Sequence, residues 1–273
     1  MARILITGCS TGIGRASAIE LARRGHEVAA TARNPATLEA LTADHGVAAA
    51  LALDVTDEAS VRNSVTAAGE IDVVVNNAGW EVAGPVELVP LADVRAMFEV
   101  NYFGVLRMVQ AFAPRMRHRG HGLFVNVSSV AGRVSGPLNG AYAGTKHALE
   151  ALSDAMHYEL GHFGIRTVVI EPGAIATNFQ ANILHAGDHT PPYDELRRQW
   201  DEASGALRGG APAPGPELVA TAMADAIDDV LAGGAGPRRI PVGDDAAMAI
   251  PAARSMDDDE FERAMRQLLG IDW

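Results

Sequence analysis

The sequence predicts an α/β fold: one doubly wound domain with about seven parallel strands and helices on both faces. Three observations predict it. Short apolar runs alternate with helical repeats from the N-terminus onward. The runs are apolar on successive residues, not on alternate ones, which is how strands covered on both faces read. A glycine-rich turn, TGCSTGIG (7–14), joins the first run to the first helical repeat, the order in which parallel-sheet units are built.

The run ARILIT (2–7) is rich in β-branched residues and ends in glycine, so it reads as a buried strand. GIGRASAIELARRG (12–25) places Ile13, Ala16, Ile19, Leu21 and Ala22 at helical spacing and is stopped by Gly25. EVAATA (27–32), VAAALAL (47–53) and IDVVVNNAG (71–79) continue the strands, with helices predicted at 35–46 and 57–69 between them. Longer helices are predicted at 91–118 and 140–163, separated by a fifth strand, GLFVNVSS (122–129). IRTVVIEPG (165–173) is a sixth strand and RRIPVG (238–243) a seventh. The Gly/Ala/Pro-rich stretch 205–217 reads as a loop between helices, and no internal repeat appears. Residues 1–273 are therefore expected to form a single domain, with a helical lid over 178–215 and a C-terminal extension over 244–273.

Composition excludes several classes. Nearly half of the residues are apolar (48%), too many for a chain disordered as a whole. The net charge of -12 argues against nucleic acid as a partner. No apolar run approaches the ~18–20 residues of a membrane helix, and MARILITG reaches a turn too soon for a secretory leader. One cysteine rules out a disulfide framework and fits a reducing compartment, so a cytoplasmic location is expected. His147, His157, His162, His185 and His189 show no metal-ligand pattern.

The glycine turn carries the first functional signal. Gly8, Gly12 and Gly14, with Ser10, Thr11 and Ile13 between them, allow close approach of backbone to a pyrophosphate at a helix N-terminus. That is the arrangement of a dinucleotide-binding Rossmann domain. Cys9 inside the turn reads as a small filler. The second strand ends in TARNP (31–35), with no carboxylate for a ribose 2′-hydroxyl; Arg33 offers a guanidinium to a 2′-phosphate, which favours NADP(H) over NAD(H). Asp54, followed by Val55, ends the third strand, where it either accepts from the adenine amino group or caps the next helix. NNAG (76–79) places Asn77, Ala78 and Gly79 beside the nicotinamide ribose.

In register with these stand NVSS (126–129), YAGTK (142–146) and EPGAIAT (171–177). Together the five motifs resemble the short-chain dehydrogenases/reductases in their compact single-domain branch, strongly over about residues 2–177; stretches around the fourth helix and YAGTK are similar to the branch that holds 17β-hydroxysteroid and retinol dehydrogenases. The resemblance implies a catalytic set of Ser129, Tyr142, Lys146 and Asn101, in which Lys146 also binds the nicotinamide ribose and Asn101 positions a water. Pro172, Gly173, Ile175 and Thr177 would hold the carboxamide, although a plain turn with a capping threonine remains open. Ser129 is preferred to Ser128 because its interval to Tyr142 matches the family's.

Chemistry explains the residue types. A phenol of pKa ≈ 10 exchanges protons poorly near neutrality, and Lys146, four residues on along a helix, is expected to lower it. Lys146 is also the single lysine beside twenty-one arginines, so a compact ammonium is kept where the chain otherwise writes guanidinium. Phe179, Ile183, Leu184, Tyr193, Leu196 and Trp200 in the lid, with Trp80, Val134, Pro137 and Leu138, suit an apolar carbonyl or alcohol substrate; they fit equally a lid packing its own apolar face. Surplus apolar residues on the long helices, Val100, Phe103, Val105, Leu149, Leu152 and Met156, point to a homodimer or homotetramer. The alternative to an enzyme is a non-catalytic dinucleotide-binding regulator of the same fold, which loss of the tyrosine, lysine or serine would have favoured.

Overall fold

The computed structural model describes residues 1–187, 190–206 and 210–270. Strand β1 (Arg3–Ile6) leads through the glycine turn into α1 (Gly12–Arg23), then β2 (Glu27–Ala32). A 3-10 turn (Pro35–Leu38) and the short α2 (Glu39–Asp44) precede β3 (Ala49–Ala52); α3 (Glu58–Ala68) precedes β4 (Val73–Asn76). After the two-residue strand β5 (Val82–Ala83) come α4 (Leu91–Phe98) and, beyond a π-helical turn (Glu99–Gly104), α5 (Val105–Arg119). Then follow β6 (Gly122–Val127), a 3-10 turn (Val130–Gly132), α6 (Gly140–Gly161) and β7 (Ile165–Pro172). Last come α7 (Asn178–Ala181), β8 (Leu184–His185), α8 (Pro191–Ala206), α9 (Glu217–Leu231), β9 (Arg239–Val242), α10 (Asp244–Ser255) and α11 (Asp258–Leu269).

Seven strands form one parallel sheet in the order β3-β2-β1-β4-β6-β7-β9. The order reverses between β1 and β4, and in open α/β sheets ligands bind beyond the strand carboxyl ends at such a reversal. Two cores flank the sheet. Ile4, Ile6, Val73, Val75 and Val125 pack on one side with Leu21 of α1 and Met223 of α9. Leu5, Val74 and Phe124 pack on the other with Met108 and Phe112 of α5 and Leu149 of α6. Ile4, Leu5 and Ile6 are wholly buried, each contributing roughly 1.5–3 kcal/mol by burial. The strand that reads as apolar throughout thus feeds both cores.

Three expectations change. The predicted 91–118 helix is interrupted by the π-turn, where Gly104 lies so close to Val55 that a Cβ would come within 2.7 Å of its methyl. The lid expected to be helical over 178–215 opens on α7 of only four residues, and its main helix, α8, starts on Pro191. His189, which the sequence reading also named, lies outside the described residues, as do parts of the 178–215 and 244–273 segments. Of the six apolar residues assigned to subunit pairing, Val105, Leu149 and Met156 are buried in the chain's own core, and only Phe103 is a large exposed one. Among the described residues, no helix is long and apolar enough to cross a membrane.

The unforeseen small elements matter for the site. β5 pairs in parallel with β8, Val82 opposite Leu184 and Ala83 opposite His185, which straps the lid to the loop after β4. The last helix, α11, packs against α8 of the lid.

Candidate active site

The glycine turn is built for close approach. Gly8 (φ +73°) and Gly12 (φ +57°) take left-handed backbone, and a Cβ on Gly14 would run into the Gly8 carbonyl and the Asn77 amide. Asn77 Nδ2 donates to the carbonyls of Thr7 (2.9 Å) and Gly8 (3.1 Å), while the Asn77 and Ala78 N–H groups donate to Thr7 Oγ1. NNAG therefore braces the turn from the adjacent strand. Thr11 caps α1 without a side-chain hydrogen bond, and the first turn of α1 has no acidic residue. Its N–H groups and dipole are left for an anion, which fits a pyrophosphate. Cys9 is a filler: it is buried, its thiol contacts the Ile6 carbonyl, and burial pushes it up to about 12.

At the edge of the crevice, Arg33 is exposed and makes no hydrogen bond or ion pair with a described residue. Asp54 Oδ1 accepts from Thr56 N (2.9 Å) and Oγ1 (2.7 Å), and Asp57, not Asp54, caps α3. Burial alone would raise the Asp54 carboxyl; the Thr56 bonds with the charges of Arg33 and Arg107 outweigh it and hold it below the usual range. Beyond β7, Ala174 N donates to Asp245 Oδ2 (2.7 Å) and Ala176 N to the Pro214 carbonyl (2.8 Å). The N–H of Ile175 between them has no partner among the described residues, which fits a donor for a carboxamide oxygen. Thr177 accepts from Phe179 N and so caps α7, the plainer of its two expected roles. Sequence reading missed Asp245; its only signal was an acidic residue just after the last strand.

Where these groups converge, α6 presents Tyr142 and Lys146 one turn apart, both buried. The Ser129 hydroxyl lies close enough to the Tyr142 phenol to lower its pKa. It also accepts from Ala131 N (3.1 Å) and reaches the Pro172 carbonyl at 3.5 Å. Ser128 is buried with its hydroxyl unpartnered by any described group, so geometry brings Ser129 and not Ser128 to the tyrosine. Lys146 Nζ donates to the Val127 carbonyl (2.9 Å) and lies 5.7 Å from the centre of the Tyr142 ring. Asn101 sits in the π-turn, the kind of helical irregularity that gathers at functional sites. Its amide donates to the Trp80 carbonyl (3.0 Å) and Thr145 Oγ1 (3.0 Å) and accepts from Trp80 N (3.1 Å). That side chain is a brace between the β4 loop and α6.

Electrostatics departs from the sequence expectation. Burial raises the Tyr142 phenol well above its ordinary value, Glu81 adds to the rise, and Ser129 works against it. The lysine does not offset that desolvation. Burial also lowers Lys146 to about 8, against the opposing charges of Glu150 and Glu81. Glu81, absent from the sequence-derived site, is a buried carboxylate at its edge. Phe179 of the lid stands 6.2 Å from the Tyr142 ring, centre to centre, and Trp200 packs against Gly136. No group of three or more His, Cys, Asp or Glu among the described residues is arranged to hold a metal.

A family profile described as short chain dehydrogenase matches residues 2–187. The chain belongs to this family. It is an oxidoreductase acting on CH–OH donors. Human retinol dehydrogenase 8 is 37% identical over 190 residues, which cover 66% of this chain and 61% of the relative. A solved short-chain dehydrogenase from Streptomyces avermitilis superposes with a TM-score of 0.81 at 31% identity, covering 100% of this chain and 99% of the other. An alcohol dehydrogenase from the archaeon Thermococcus sibiricus, solved with 5-hydroxy-NADP, gives a TM-score of 0.68 at 28% identity over 88% of this chain and 94% of its own.

Proposed function

We propose that this short-chain dehydrogenase interconverts a ketone or aldehyde and its alcohol with NADP(H), on an apolar substrate. The observation that carries the reading is the convergence of three side chains: Tyr142 and Lys146, buried one turn apart on α6, with the Ser129 hydroxyl beyond β6 acting on the phenol. When bound, the reduced nicotinamide supplies a hydride. Tyr142 then gives its phenolic proton to the substrate oxygen. Ser129 donates to the same oxygen as charge develops on it. Lys146 holds the ribose and, as the ammonium, opposes the negative charge left on the phenol. Asn101 fixes α6 against the β4 loop so that this geometry persists. The glycine turn, Asn77, Ala78, Gly79 and the 172–177 turn would hold the dinucleotide.

The apolar substrate rests on the lid. Phe179 stands 6.2 Å from the Tyr142 ring, and Trp80, bonded to Asn101, packs against the same cluster. Retinol dehydrogenase 8 acts, by its name, on an apolar alcohol. An NADPH-oxidation screen of the purified protein over steroid, retinoid and simple ketone panels tests the reading. Turnover on apolar carbonyls is expected; NADPH binding with no turnover on any panel would point to the regulator instead.

Preference for NADP(H) rests on Arg33, exposed and unpaired next to the small buried Ala32, in keeping with the 5-hydroxy-NADP bound to the Thermococcus sibiricus enzyme. Arg33→Ala is expected to weaken NADPH roughly ten- to a hundredfold, the ~1.5–3 kcal/mol of a charge-assisted contact, and to leave NADH nearly unchanged. Ala32→Asp should repel NADPH and admit NADH. Equal affinity of the unmutated protein for both cofactors would defeat the assignment.

Assembly through α5 and α6 is part of the same reading. Phe103 (41% exposed), Tyr158 (73%) and Phe163 (40%) lie in the π-turn before α5, on α6 and just after it. Light scattering at micromolar concentration is expected to give a dimer or tetramer, and a monomer would count decisively against it.

A further inference from the structure

Glu81 follows Trp80 in the loop after β4, immediately before β5. It is 7% exposed, an expensive place for a carboxylate without compensation. Two contacts fix it. Its Oε1 accepts from Asn139 Nδ2 at 2.7 Å, and Asn139 is the N-cap residue of α6. Its backbone carbonyl accepts from Leu184 N of β8 at 3.2 Å. A parallel tie, Gly84 N to the Leu138 carbonyl at 2.7 Å, joins β5 to the residue before the cap. Leu138 there has a positive φ of 61°, a strained conformation for a branched residue that this double tie sustains. The carboxylate is thus held at the start of the helix whose first turns carry Tyr142 and Lys146.

From that position Glu81 acts on both. Its charge raises the Tyr142 phenol and the Lys146 ammonium, and Lys146 in turn lowers Glu81. The other charge on Lys146 is Glu150, whose carboxylate is already paired with Arg239 Nε at 2.8 Å. Asp93 and Arg95 of α4 and His185 of β8 are the charged or titratable residues on the other elements beside β5, and none of them pairs with Glu81. Among the described residues, Glu81 is left as a buried carboxylate at the start of α6 with no guanidinium of its own.

We propose that Glu81 is a positioning residue of the active site: bonded to the N-cap side chain of α6, its buried carboxylate fixes the first turns of the helix that carry Tyr142 and Lys146 and favours the ammonium form of the lysine. The proposal rests on the carbonyl–alcohol reading of the site and deepens it. Burial drives Lys146 toward its neutral form, and neutral lysine neither offsets the phenolate nor grips ribose hydroxyls as strongly. A negative charge nearby opposes that drift. Glu81 itself is pushed up to about 7, mainly by burial, so this opposition is present above that pH and fades below it. The sign follows: removing the carboxylate must lower both the Lys146 and the Tyr142 pKa, and the alkaline limb of reduction must move to lower pH.

The single lysine makes a direct test possible, since untagged protein carrying 13Cε-lysine gives one side-chain resonance. In the unmutated protein that resonance is expected to titrate with a midpoint near 8 and a second inflection near 7 from Glu81. Glu81→Gln keeps an oxygen for Asn139 and is expected to fold. In it the inflection should vanish and the Lys146 midpoint fall by at least about half a pH unit. The alkaline limb of kcat/KM for ketone reduction should shift the same way. An unmoved Lys146 midpoint in Glu81→Gln overturns the proposal, and so does the absence of the inflection near 7 in the unmutated protein, which needs no variant. A shifted Lys146 midpoint in a protein that reduces no carbonyl would leave Glu81's role standing and sink the reductase reading. An unshifted midpoint in an active reductase would do the reverse.

Discussion

Tyr142→Phe is expected to lower carbonyl reduction by about a hundredfold to ten-thousandfold, the range of a lost general acid, in a protein that stays folded. The ring makes the packing contacts, lying 6.2 Å from Phe179 and over Lys146, and phenylalanine keeps it. What goes is one hydroxyl, on which Ser129 acts. Removing a buried hydroxyl changes stability by only ~1 kcal/mol, and Ser129 retains Ala131 N and the Pro172 carbonyl. Cofactor affinity should change little. Steady-state NADPH oxidation on any accepted ketone, with circular dichroism to confirm folding, decides it. A folded variant within a few-fold of the parent rate would remove Tyr142 from the chemistry. The burial that raises the phenol also defines the form in which it works: Tyr142 stays protonated through neutral pH, which is the form that reduction consumes.

Much of this site was legible in the sequence because its geometry is local. Gly8, Gly12 and Gly14 lie in one turn, and Tyr142 and Lys146 on one face of one helix, so spacing alone brings them together. The seven parallel strands followed from apolar runs too continuous for a half-exposed sheet, while their order came only with the structure. Charge balance inside the site was not legible, since it depends on burial. Lys146 was expected to lower the Tyr142 phenol; desolvation raises it instead, and the ammonium lies 5.7 Å from the centre of the ring. Glu81 and Asp245 were invisible for another reason. Each acts across tens of residues, Glu81 on Asn139 and Asp245 on Ala174, and nothing in their neighbouring sequence marks the partner. The surplus apolar residues on the long helices misled because a helix packed on a sheet and flanked by others buries more than one stripe. Val105, Leu149 and Met156 are spent inside the chain.

Lys146→Arg keeps the positive charge and installs the residue this chain uses at every other cationic position, yet turnover is expected to fall at least about a hundredfold. Space is the first reason. Lys146 is 5% exposed, its Nζ is 2.9 Å from the Val127 carbonyl, and a Cβ on Gly79 would already come within 3.8 Å of it. A planar guanidinium cannot occupy that volume without moving the Tyr142 ring or the β4 loop. Chemistry is the second. Arg presents a rigid fork suited to carboxylates, whereas ammonium donors can turn toward a backbone carbonyl and two ribose hydroxyls together. The lysine is also held near 8, close enough to neutrality to respond to its surroundings, while arginine stays charged throughout. A surface cation would tolerate the exchange within ~0.5 kcal/mol. A folded Lys146→Arg protein, by circular dichroism, turning over at a near-normal rate would therefore mean that the one lysine of this chain is an accident of composition; a folded protein with weakened NADPH binding and lost turnover would place it against both the ribose and the phenol.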